Sequence, residues 1–178
     1  MKMKVQKRDG RLQDLSLDKI KYRIKQLCYE LTIDYDIIVL RVVKSLYDGI
    51  TTIEIDEESA RIAINILEHP DFSILASRII VSNMHKNTKK SFVGTMKLIN
   101  ESNPDLLSDE YMKLVEKYGS KLQDFLCFQN DYKFDYFGFK TLEKSYLLRS
   151  NGKIAERPQH LYMRIALALF KDDLDNVK

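Results

Sequence analysis

Val5-Gln6-Lys7-Arg8-Asp9-Gly10-Arg11-Leu12-Gln13-Asp14-Leu15 decides how the rest of the chain is read. Met3 to Lys7 alternates apolar and basic residues, and Asp9-Gly10 is a tight-turn dipeptide because Gly accepts the left-handed backbone such a turn demands. Leu12 to Leu15 can run back as a second strand, so the first element is a β-hairpin. Outward from it the period changes. Ile20, Ile24, Leu27, Cys28 and Leu31 recur at helical spacing on one face, and Ser16 or Asp18 can cap the start of that helix.

A second apolar segment runs from Ile37 through Val43 and Leu46 and ends at Asp48-Gly49. The β-branched run Ile50-Thr51-Thr52-Ile53 predicts a short strand. Asp56 can cap a third helix carrying Ala60, Ala63, Ile64 and Leu67. His69-Pro70-Asp71 breaks it, and a fourth helix follows from about Phe72 to Lys86. This order predicts a mainly helical α+β fold, a four-helix bundle under a three-stranded β cap, over residues 1–90. Residues 91–105 read as a polar linker. Residues 106–178 read as a second helical region: a helix over Tyr111 to Leu126, an aromatic cluster (Tyr132, Phe134, Tyr136, Phe137, Phe139) packed around Gly138, and a helical stretch from Lys140 to Leu148. An Asn151-Gly152 turn ends that stretch, and Pro158 opens a last helix.

Composition excludes several classes. With 44% hydrophobic and 31% charged residues, and only 6 Gly and 3 Pro in 178 residues, the chain is neither disordered nor fibrous. A net charge of +3 is too small to argue for nucleic acid, and no run approaches the ~18 apolar residues of a membrane span. Cys28 and Cys127 form no CxxC pair or disulfide framework; both read as buried small hydrophobes in a reducing compartment, so the cytoplasm is expected. His69, His85 and His160 lack metal-ligand spacing.

The informative polar residues lie in the hairpin, in Thr51-Thr52 and at the end of the fourth helix. Lys2, Lys4, Lys7, Arg8 and Arg11 crowd the first eleven residues, a local cationic patch that suits phosphate or is simply a solvated basic end. A nucleoside triphosphate needs cations, hydroxyl donors, and an acid or amide for ribose or base. Lys7, Arg8 and Arg11 supply the first, Thr52 the second, and Gln13, Asp18 and Asp56 the third.

Those residues sit in a recognisable series. Val5 to Arg11, Asp18-Lys19-Ile20, Gly49-Ile50-Thr51-Thr52, His69-Pro70-Asp71, Leu75-Ala76-Ser77-Arg78-Ile79 and Val81-Ser82-Asn83-Met84-His85-Lys86 together resemble the ATP-cone of the class I ribonucleotide reductase large subunit. Tyr136-Phe137-Gly138-Phe139-Lys140-Thr141-Leu142-Glu143-Lys144-Ser145-Tyr146-Leu147-Leu148 and Glu156-Arg157-Pro158-Gln159-His160 resemble the start of that family's catalytic domain in its eukaryotic and viral branch.

The resemblance implies an allosteric region that senses ATP or dATP, with or without Mg, in an enzyme supplying deoxyribonucleotides for DNA synthesis. It places phosphate contacts on Lys7 and Arg8, base and ribose contacts on Gln13, Asp14, Leu15, Ser16, Leu17, Asp18 and Lys19, and further contacts on Thr52, Asp56 and Lys86. Gln13 stands where that family commonly has Glu, and Leu17 where it has a larger aromatic, which bears on affinity and on ATP against dATP. The implied partners are adenine nucleotides, further large subunits and, through the complete enzyme, the radical-generating small subunit; no membrane and no nucleic acid are expected. The family's catalytic cysteines and barrel have no counterpart here, so no catalytic residue and no redox cofactor are assigned, and these residues alone are expected to be inactive. Two other readings are an oligomerisation fragment that has lost nucleotide binding and a DNA-binding regulator, the latter disfavoured because its zinc-ribbon cysteines are missing.

Overall fold

A computed structural model describes residues 3–178, so Lys2 of the basic patch lies outside the described residues. The hairpin forms as β1 (Lys4–Gln6) and β2 (Leu12–Asp14), antiparallel with Val5 opposite Gln13. A third strand, β3 (Ile50–Thr51), joins the other edge of β1 in parallel, Val5 opposite Ile50. The sheet order is β2-β1-β3, and Val5 and Ile50 turn into the core. The fold is mainly helical, with this small sheet at its start.

The chain divides into two compact units, the first reaching Asn83. Its helices are α1 (Leu17–Leu27), α2 (Asp36–Ser45), α3 (Thr52–Ile64) and most of α4 (Asp71–Asn87). Ser16 caps α1, its hydroxyl accepting from Lys19 N. Ile20, Ile24 and Leu27 form the buried stripe of α1, Ile38, Val39 and Val42 that of α2, and Leu75, Ala76, Ile79 and Ile80 that of α4.

The third helix departs from the expectation. It begins at Thr52, inside the β-branched run, and its cap is Thr51 rather than Asp56. Thr51 Oγ1 accepts from Glu54 N (3.0 Å) while Glu54 Oε2 accepts from Thr51 N (2.8 Å). This reciprocal pair satisfies two amides at once and outweighs the strand preference of Thr52 and Ile53. Asp56 is therefore inside the helix.

The second unit, from Met84, contains α5 (Phe92–Ser102), α6 (Asp109–Phe125), a 3-10 helix (Phe128–Lys133), α7 (Tyr136–Ser145), a hairpin of β4 (Arg149–Ser150) and β5 (Lys153–Ile154), α8 (Pro158–Phe170) and α9 (Leu174–Val177). Residues 91–105, read as a linker, are mostly α5. Ser91 caps it, and Phe92, Met96 and Ile99 bury one face in the core with Tyr111, Val115, Leu122, Met163 and Leu167. A Cβ on Gly119 of α6 would come within 2.5 Å of Val93 Cγ2, so that glycine is what lets α5 and α6 approach.

Two smaller expectations fail. Cys127 is exposed, and Cys28 is only half-buried, though burial still pushes its thiol up to about 11. In the aromatic cluster Phe139 is fully buried, but Phe137 is 70% exposed. Among the described residues no helix is long and apolar enough to cross a membrane.

Candidate functional site

The site starts at the hairpin turn. Lys7 N donates to Arg11 O (2.8 Å) and Gly10 N to Lys7 O (2.9 Å), with Gly10 in the left-handed region at φ 84°. Asp9 and Arg11 pair with each other at the tip, which holds the Asp9 carboxyl below its usual range. Lys4 pairs with Asp14 across the strands. These solvent-exposed pairs contribute little stability.

Arg8 behaves differently. Its Nη1 donates to Thr52 Oγ1 (3.4 Å), and its Nη2 donates to Asp56 Oδ2 (3.1 Å) and to Asn83 Oδ1. One guanidinium thus joins the hairpin, the first turn of α3 and the fourth helix. Arg23, beside Ile24 on the buried stripe of α1, donates from Nε to Asp56 Oδ1 (3.2 Å) and from Nη2 to Asp56 Oδ2 (3.3 Å). Asp56 is 5% exposed, and a carboxylate so buried requires cationic partners. Among the described residues it has two, so these three charged groups carry a formal +1. Hydrogen bonds from the Thr51 backbone, the Thr51 hydroxyl and the Tyr47 hydroxyl hold the Glu54 carboxyl below its usual range, which fixes the start of α3 and the place of Thr52. Two guanidinium groups, a hydroxyl and an amide beside a helix N-terminus make a setting for a polyanion.

Of the residues expected to form a site, Arg8, Thr52 and Asp56 are brought together. Lys7 shapes the turn through its backbone. Gln13, Asp14, Leu15, Ser16, Leu17, Asp18 and Lys19 form a strip along the outer strand β2 and the first turn of α1, with Gln13, Leu17, Asp18 and Lys19 exposed. In that strip Asp14 accepts from Lys4 Nζ, Leu15 N donates to Met3 O, and Ser16 Oγ accepts from Lys19 N. Lys86 stands exposed in the last turn of α4, within the second unit. Arg23 and Asn83 were not anticipated as site residues. The available signal was a cation flanking an apolar stripe in one case and an amide inside the apolar face of α4 in the other.

Comparison with known proteins follows this division of the chain. Residues 3–87 match the family model of the ATP cone domain, and residues 132–178 match that of the ribonucleotide reductase all-alpha domain. The large subunit of ribonucleoside-diphosphate reductase from Variola virus is 45% identical over 98% of this chain, that from Danio rerio 43% over 97%, and that from Arabidopsis thaliana 41% over 98%. The chain belongs to the ribonucleotide reductase large-subunit family, in its N-terminal part. It spans about a quarter of the length of these relatives (24%, 23% and 23%). The Arg8–Asp56 cluster lies inside the cone match, whereas α7 and α8 fall within the all-alpha match.

Proposed function

We propose that the cone binds ATP or dATP as an allosteric effector. The observation that carries this reading is the Arg8 cluster: two arginines on one buried carboxylate, beside Thr52 at the start of α3. Lys7 and Arg8 take the phosphates, Thr52, Asp56 and Lys86 complete the polar contacts, and the strip from Gln13 to Lys19 meets base and ribose. Leu17, 46% exposed, offers the adenine an aliphatic rather than an aromatic surface, and Gln13 can donate as well as accept. Any Mg ion comes with the triphosphate and is not caged by protein, since divalent magnesium is commonly held by phosphate oxygens and water.

In this reading α1 to α4 form the four-helix bundle of the cone over residues 1–90, and residues 106–178 are the helical lead-in to a reductase barrel. Effector binding sets how large subunits associate, and through the complete enzyme it governs work with the small subunit in the cytoplasm. The two nucleotides must favour different assemblies, because equal affinity for both states shifts nothing. These residues by themselves do not reduce a nucleotide: Cys28, held protonated by burial, is no ready thiol, and Cys127 has no second thiol beside it in the sequence.

Calorimetric titration of the 178-residue chain with ATP and with dATP tests the reading. Binding heat with at least one nucleotide is expected, and none with either would sink it. A second reading, an oligomerisation module without nucleotide binding, draws on Gln13 and Leu17; size-exclusion profiles indifferent to dATP would favour it.

A further inference from the structure

We propose that α4 transmits occupancy of the Arg8 site to a clamp in the second unit formed by His85 and Asp131. The inference rests on the reading of Arg8 as a phosphate contact. The α4 helix is unbroken from Asp71 to Asn87, and the boundary between the units, Asn83 to Met84, falls inside it. On the first side, Asn83 accepts from Arg8. Two residues further along, His85 Nε2 lies 2.7 Å from Asp131 Oδ2, on the 3-10 helix. The His85 ring meets Tyr132 and Phe128 edge-on, at 5.4 and 5.9 Å between centroids. Arg157 donates to the carbonyls of His85 (2.9 Å) and Thr88 (3.0 Å) and lies over the Phe128 ring. The 3-10 segment therefore hangs on the last turn of α4.

That attachment is narrowly held. Asp131 is fully buried, yet its Oδ1 has no hydrogen-bond donor among the described residues. A buried acceptor left unmade costs free energy, so the clamp keeps Asp131 buried at a penalty that opening would relieve. A polyphosphate that claims Arg8 competes for the same Nη2 that serves Asp56 and Asn83. Loss of the Asn83 bond changes the constraint on α4 one half-turn before His85, and a packed helix responds as a unit rather than by continuous deformation. Effector binding thus opens the clamp. By linkage, removing the clamp must tighten the effector by the same factor.

Hydrogen exchange on the 178-residue chain, with and without saturating ATP, reads this directly. With ATP, amides of Lys4–Asp14 slow, while those of Phe128–Lys133, including Asn130 N that donates to Cys127 O, exchange about fivefold or more faster. Slowing in the hairpin with no change at Phe128–Lys133 overturns the clamp and leaves nucleotide binding standing. No response in either segment overturns both. Titration of Asp131→Ala, which removes the acceptor facing His85, with ATP is the second test: a Kd lower by the same factor is expected, and an unchanged Kd in the folded variant contradicts the proposal. His85→Gln, which keeps a donor toward Asp131, is expected to stay near the wild-type Kd; a general packing defect would not spare it. Should Asp131→Ala lose its helical circular dichroism, the exchange result on the unmodified chain decides alone.

Discussion

Each unit contains a buried carboxylate held by arginine, and the two differ in how many arginines hold it. In the first unit Asp56 is shared by Arg8 and Arg23. In the second, Glu156 is paired, among the described residues, with Arg164 alone, at 2.6 and 3.2 Å, and also accepts from Leu148 N at 2.9 Å. Exposure does not separate the arginines, whose side chains are 25%, 22% and 20% accessible. Stoichiometry does. One cation per carboxylate closes the charge balance and fastens the β4–β5 hairpin to α8; two per carboxylate carry a net positive charge that a phosphate can neutralise. In the proposed reading the same pair of residue types serves stability in one unit and ligand binding in the other.

The largest effect that could break this contrast is in the second unit. Glu156→Ala leaves Arg164 without its carboxylate and Leu148 N without an acceptor, and should lower stability by about 3–5 kcal/mol in a denaturant melt while ATP affinity stays put. Next is pH. Burial, foremost, lowers the His160 pKa to about 4, so the folded chain keeps this ring neutral while the unfolded chain protonates it near 6.5. Its contribution is present above pH 6.5 and is lost as pH falls toward 4, by up to ~3 kcal/mol. A His160→Gln variant, with nothing to protonate, should flatten that part of the stability profile; an unchanged slope would remove His160 from the account. Gly119→Ala, which drives a methyl into Val93, should cost about 1–3 kcal/mol by thermal melt. Smallest is Thr51→Ala, which removes half of the capping pair on α3 and should cost ~1 kcal/mol, with only a slight weakening of ATP binding.

Local patterns announced much of the fold. Asp9-Gly10 gave away the hairpin, the spacing of Ile20, Ile24 and Leu27 gave α1, Ser16 was among the expected caps, and Pro158 sits at the first turn of α8. What escaped was competition between local signals. Phe92, Met96 and Ile99 already hold helical spacing, but Lys97 among them and Asn100 and Glu101 just after them made α5 look like a linker. Ile50 to Ile53 look like four strand residues until Thr51 and Glu54 are seen as a pair. The cluster itself joins positions 8, 23, 52, 56 and 83, and only tertiary packing makes Arg23 and Asn83 its members. The contacts that the family resemblance assigned include three of those five, Arg8, Thr52 and Asp56, because a resemblance records type and spacing but not which partner a side chain finds.

The central claim is that the Arg8 cluster is a nucleotide site and not a structural ion pair like Arg164–Glu156. Calorimetric titration of ATP into the chain and into Arg8→Ala, alongside a thermal melt of each, tests it most directly. Binding to the unmodified chain, at least tenfold weaker in the variant with little change in melting temperature, is the predicted result. Equal ATP affinity in both, with a large drop in melting temperature for Arg8→Ala, would contradict it.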